Sequence, residues 1–92
     1  MSADPELDRL RAAMDVCTLR LLTVLQERAE LTAAIGAWKR AHGLGGADPA
    51  REAEMLRKVL QQAGPGGFSA PALESIFRAV FAASRSLVER PN

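Results

Sequence analysis

The chain is 92 residues long, carries 12 Lys and Arg against 11 Asp and Glu for a net charge of +1, and holds one His, one Cys, one Trp, three Phe and no Tyr. This composition fits one small domain over residues 1–92 and excludes an internal disulfide, a Cys/His zinc site, and a protein whose main task is neutralising nucleic-acid phosphates. A chain this short buries only about 60% of its unfolded surface, so association with a further copy is expected from length alone.

No apolar run approaches the roughly 20 residues that cross a bilayer, and the opening MSADPELDRL is acidic where a secretory signal is basic and then apolar. The expectation is a cytoplasmic chain without membrane or nucleic-acid partners. Six of the seven glycines fall in two clusters, Gly43, Gly45, Gly46 and Gly64, Gly66, Gly67, which mark two linkers between three segments. No segment alternates with period two, so no strand is predicted.

The first segment, from about Asp4 to His42, spaces Leu7, Leu10, Met14, Cys17, Leu21, Val24, Arg28, Leu31, Ile35 and Trp38 by alternating steps of three and four. It reads as one amphipathic helix with a coiled-coil-like stripe, in which Met14 and Cys17 are core positions. Its roughly 38 residues span about 57 Å, against a diameter of about 32 Å for a compact globule of this size. The stripe therefore has to meet another chain, most simply the same helix of a second copy. The second segment opens with Asp48 as N-cap and Pro49 at the first helical position and runs to Gly64. The third opens at Ser69, continues through Leu73, Ile76, Phe77, Val80, Phe81, Leu87 and Val88, and ends before Pro91. The predicted fold is all-α: a long, a short and a medium helix per chain, in an intertwined helical homodimer.

Polar residues that interrupt the apolar stripes are the candidate functional groups, because a buried charge costs several kcal/mol unless it is paired. Lys39 follows Arg28 by 11 residues, which places it about 16.5 Å along the helix and within about 20° of the same face. Two cations leaning together over one strip leave room for a small dianion. Arg51 and Glu52 fall in the first turn of the second helix, with Glu52 on the apolar side, and Ser84 is the hydroxyl in the third stripe. The set is rich in cations with one carboxylate and one hydroxyl, which suits an anion bearing more than one carboxylate and a hydroxyl or amine for Glu52 to accept from. Plainer roles compete: pairing of Arg28 with Glu27 or Glu30, a helix-end contact for Lys39, solvation of Arg51 and Glu52, and a bond from Ser84 to its own i−4 carbonyl.

The order and spacing of LDRLRAAMD, LLTVLQERAELTAAIGAWKRAHG, DPAREAEML and IFRAVFAASRSL resemble the small all-helical chorismate mutases over nearly the whole chain. The resemblance implies an interlocked dimer with two sites, no cofactor and a small dicarboxylate substrate. It assigns Arg28, with Arg11 from the other chain, to the substrate carboxylates, Lys39 to the ether oxygen of the breaking bond, and Arg51 to an added positive field. The Asp48 backbone and Glu52 hold the ring hydroxyl and Ser84 the ring carboxylate, so that Lys39, Arg28 and Glu52 stand nearest the chemistry. Val88 departs from the pattern: family members often carry Gln or Glu there as a second donor to the ether oxygen, and Glu89, the neighbouring polar group, points to a different face. Rival readings are a mutase or lyase acting on 4-amino-4-deoxychorismate or isochorismate, a weak mutase completed by a partner enzyme of the aromatic pathway, and a non-catalytic helical dimerisation or regulatory module.

Overall fold

The structure, a computed structural model, describes residues 4–88. It contains three helices, α1 (Pro5–Ala41), α2 (Pro49–Gln62) and α3 (Ala70–Val88), and no strand among the described residues. The expected end of the third helix before Pro91, and Glu89, lie outside the described residues.

Each helix starts where a short polar side chain meets orphan backbone donors. Asp4 Oδ1 accepts from the Glu6 and Leu7 amides at 3.0 and 3.3 Å, with Pro5 as the first helical residue. Asp48 Oδ1 accepts from the Arg51 amide at 3.1 Å ahead of Pro49, and Ser69 Oγ accepts from the Ala72 amide at 3.3 Å. Each cap satisfies an amide that has no intrahelical partner. The end of α1 is equally local. Gly43 adopts φ +72°, and the chain reverses so that the Leu44 amide donates to the Lys39 carbonyl at 2.7 Å and the Gly43 amide to the Arg40 carbonyl at 3.3 Å. That 6→1 and 5→2 pair is the Schellman arrangement, which glycine adopts without the Cβ penalty of other residues.

The chain divides into two compact units, Met1–Leu31 and Thr32–Asn92, of which residues 4–31 and 32–88 are described. The first is a single length of α1, so it has no second element of its own to cover apolar side chains. Met14 is 64% exposed and Cys17 is exposed, so neither is covered from within the single chain. Nor is the apolar character confined to one stripe: Val16 and Leu19, at 58% and 64% exposure, sit across the helix from Met14, Cys17 and Leu21.

The second unit has a core. Leu56 of α2 and Phe81 of α3 are 9% and 4% exposed, and the Phe77 and Phe81 rings meet at 6.3 Å between centroids, tilted by 54°. The start of α2 meets the end of α3, so the two helices run antiparallel. In the same unit the end of α3 approaches α1 at Gly36: a Cβ there would lie 2.7 Å from Val88 Cγ1. A glycine inside a helix costs about 1 kcal/mol relative to alanine, and here its missing side chain makes the close approach of α1 and α3 feasible.

Candidate active site

Lys39 occupies the last turn of α1, three residues after Gly36, and is half-buried. Its carbonyl is held by the Gly43 turn, which fixes the backbone from which the ammonium projects. Among the described residues its side chain has no ion pair. Trp38 beside it is 56% exposed and stacks on His42 at 3.8 Å with 17° between the planes, so Trp38 covers the helix end instead of entering a core. The ring Nδ1 of His42 lies 2.8 Å from the Trp38 carbonyl.

At the start of α2 the two neighbouring charges diverge. Arg51 is exposed and turns along the helix, its Nη1 donating to Glu54 Oε1 at 2.8 Å. Glu54 also takes Lys58 Nζ at 3.1 Å. The Lys58 hydrogen bond and charge, with Arg51 adding to them, hold the Glu54 carboxyl below its ordinary value. Glu52 points the other way. Its Oε1 accepts from Arg85 Nη1 of α3 at 2.6 Å, with side-chain exposures of 24% and 38%. Asp48 spends its side chain on the N-cap.

On α3, Ser84 is half-buried and its hydroxyl donates to the Val80 carbonyl at 2.9 Å, the local bond expected of a mid-helix serine. Val88, one turn on, is half-buried and meets Gly36. Two contacts thus tie the helices of the second unit: Glu52 with Arg85 joins α2 to α3, and Gly36 with Val88 joins α1 to α3, with Lys39 three residues after Gly36 and Ser84 next to Arg85 in the chain. Arg11 and Arg28 belong to the first unit, on α1, the former exposed and the latter half-buried.

Arg85 was not among the residues singled out from sequence. It follows Phe81 by four and precedes Val88 by three, so it falls in the same inward stripe as Ser84, and that periodicity was the available signal. A cavity of about 580 Å³ opens along α2 and α3, with Glu52, Leu56 and Phe81 in its wall and Arg57, Gln61 and Arg78 also lining it. Lys39, Ser84 and Val88 do not line it. It is a groove with an apolar floor and a charged rim, and Glu52 is the candidate residue it shares with the ion pair to Arg85.

Comparison with known proteins bears on the family and the fold. Residues 10–89 match the family described as chorismate mutase type II. The form II structure of chorismate mutase from Thermus thermophilus superposes with a TM-score of 0.88 at 33% identity, covering 95% of this chain and 98% of that one. The form I structure from the same organism superposes with a TM-score of 0.82 at 33% identity, covering 86% of this chain and 98% of that one. No curated protein sequence matches the chain. A family match over most of the sequence, joined to a solved structure alike in fold and in a third of its residues, has one consequence: this chain belongs to the chorismate mutase type II family.

Proposed function

We propose that the chain catalyses the [3,3] rearrangement of chorismate to prephenate, in sites each completed by a second copy. Family membership supports the reaction. The observation that carries the site is Lys39: a half-buried cation without an ion pair among the described residues, rooted three residues from the contact between α1 and α3. A cation so placed is available to an anion from solution, with which it can form a charge-assisted hydrogen bond.

The rearrangement is intramolecular. The ether C–O bond breaks as a C–C bond forms, with no atom gained or lost and no acid or base required. Arg28, and Arg11 of a second copy, clamp the carboxylates and hold the enolpyruvyl arm over the ring, supplying the orientation that the free molecule rarely adopts. Lys39 donates to the ether oxygen, where negative charge grows as the bond breaks, so it stabilises the transition state more than the substrate. Glu52, with the Asp48 backbone, accepts from the ring hydroxyl, Ser84 turns its hydroxyl proton from the Val80 carbonyl to donate to the ring carboxylate, and Arg51 adds positive field from the rim. Val88 cannot donate, so Lys39 works without a second donor from that position.

The exposed apolar side chains of the first unit support the second copy: large apolar surfaces of this kind mark interfaces. The test mixes two inactive variants. Arg11→Ala and Lys39→Ala homodimers should each lose at least about a hundredfold in kcat. Random exchange between them should restore about a quarter of wild-type activity, because half the dimers are mixed and each mixed dimer holds one intact site. Ultraviolet loss of chorismate reads both. Near-wild-type turnover by Lys39→Ala, or no recovery on mixing, overturns the corresponding part of the reading.

A further inference from the structure

Of the five ion pairs between described residues, four join neighbours three or four apart on one helix, and one joins two helices: Glu52 of α2 with Arg85 of α3, at 2.6 Å and more shielded than the rest. The carboxylate assigned to the substrate's ring hydroxyl therefore comes already paired with a cation. We propose that Arg85 is a specificity-determining positioning residue, which makes the Glu52 subsite select a neutral hydroxyl over an ammonium. The inference rests on the mutase reading above and deepens it.

A bare carboxylate favours an ammonium over a hydroxyl, because the charged donor adds Coulomb attraction to the hydrogen bond. Arg85 reverses that preference. Its Nη1 donates to Glu52 Oε1, and Oε2 can still accept. A hydroxyl donates there without loss. An ammonium, the form of a primary amine at neutral pH, meets the Arg85 charge a few ångströms behind the carboxylate, so the attraction is largely cancelled while its water must still be shed. The pair also fixes the Glu52 rotamer across the helix boundary, which no residue of α2 does.

The test compares chorismate with 4-amino-4-deoxychorismate, which carries an amine in place of the ring hydroxyl, in the wild type and in Arg85→Gln and Arg85→Lys. Preference is read as the ratio of kcat/KM values or, for an analogue bound but not converted, as KM of chorismate against the analogue's inhibition constant. Arg85→Gln should lower the preference for the hydroxyl by on the order of tenfold, chiefly through better binding of the amine, and Arg85→Lys, which keeps the charge, should restore most of it. A loss of fold or of general rigidity would slow both compounds alike and leave the ratio unmoved. A ratio within twofold of wild type in Arg85→Gln overturns this proposal and leaves the mutase reading standing. A wild type that converts neither compound overturns both. Should Arg85→Gln fail to fold, Arg85→Met is read by the same ratio.

Discussion

In the first unit Leu10, Met14, Leu19, Leu21, Leu22 and Val24 are each half or more exposed, while in the second Leu56 and Phe81 are 9% and 4% exposed. The residue types are alike and the difference lies in what stands beside them. Two antiparallel helices can face each other, whereas one helix cannot fold onto itself. Full burial of a Leu or Phe side chain contributes about 1.5–3 kcal/mol, and isolated helices are marginal in water. The second unit therefore carries a core of its own, and the first gains its stability only by being covered.

Leu21→Asp tests that contrast most severely. A charge on a free surface shifts stability by less than about 0.5 kcal/mol, but the same charge buried unpaired between helices costs several kcal/mol. The expected result is a monomer by sedimentation with chorismate turnover lost, as the proposed supply of Arg11 by a second copy requires. A fully active, self-associated Leu21→Asp would show the first unit to be ordinary surface. Phe81→Ala probes the other side. Removing the most buried ring of the second unit should cost about 3–5 kcal/mol, seen as a large fall in Tm, and a fall as small as that of an exposed apolar residue such as Ile76 would erase the contrast.

What sequence made legible follows the same division. Helix starts and stops are local chemistry, and Asp48, Pro49 and Ser69 stand at the boundaries they announce. The inward turn of Glu52 was legible too, because it depends only on the phase of α2. The partner of Glu52 was not: Arg85 lies 33 residues away, and periodicity names a face without naming what that face meets. Position 88 shows the same limit. The substitution of valine for a polar group reads from sequence as a missing donor, whereas the structure adds that Val88 fills the space Gly36 leaves open.

That contact yields a smaller and signed effect. Gly36→Ala improves helix propensity by about 1 kcal/mol, but its Cβ would stand 2.7 Å from Val88 Cγ1, and overpacking of this kind costs about 1–3 kcal/mol. Because the obstructing atom belongs to a branched, half-buried side chain with few alternative rotamers, the clash should win and Tm should fall. Gly36→Ala combined with Val88→Ala should recover most of the loss, and equal melting of the single and double variants would show that the contact is not what the glycine serves.

Glu54→Gln is the mildest change and separates rim from site. Glu54 lies on the exposed rim, held below its ordinary 4.5 first by the hydrogen bond from Lys58 and then by the charges of Lys58 and Arg51. A lowered folded-state value means that its ion pairs stabilise the fold above the unfolded value and that this contribution fades as pH falls through the folded one. The melting difference between wild type and Glu54→Gln should therefore be small at neutral pH, shrink below about pH 4.5 and diminish in high salt. Activity should change less than about twofold, because Arg51 is exposed and its field at the site is screened by water whether or not Glu54 holds it. A severalfold rise in kcat on chorismate would mean instead that Glu54 restrains Arg51, and that once released the guanidinium reaches the reacting ligand, moving it from the rim into the site itself.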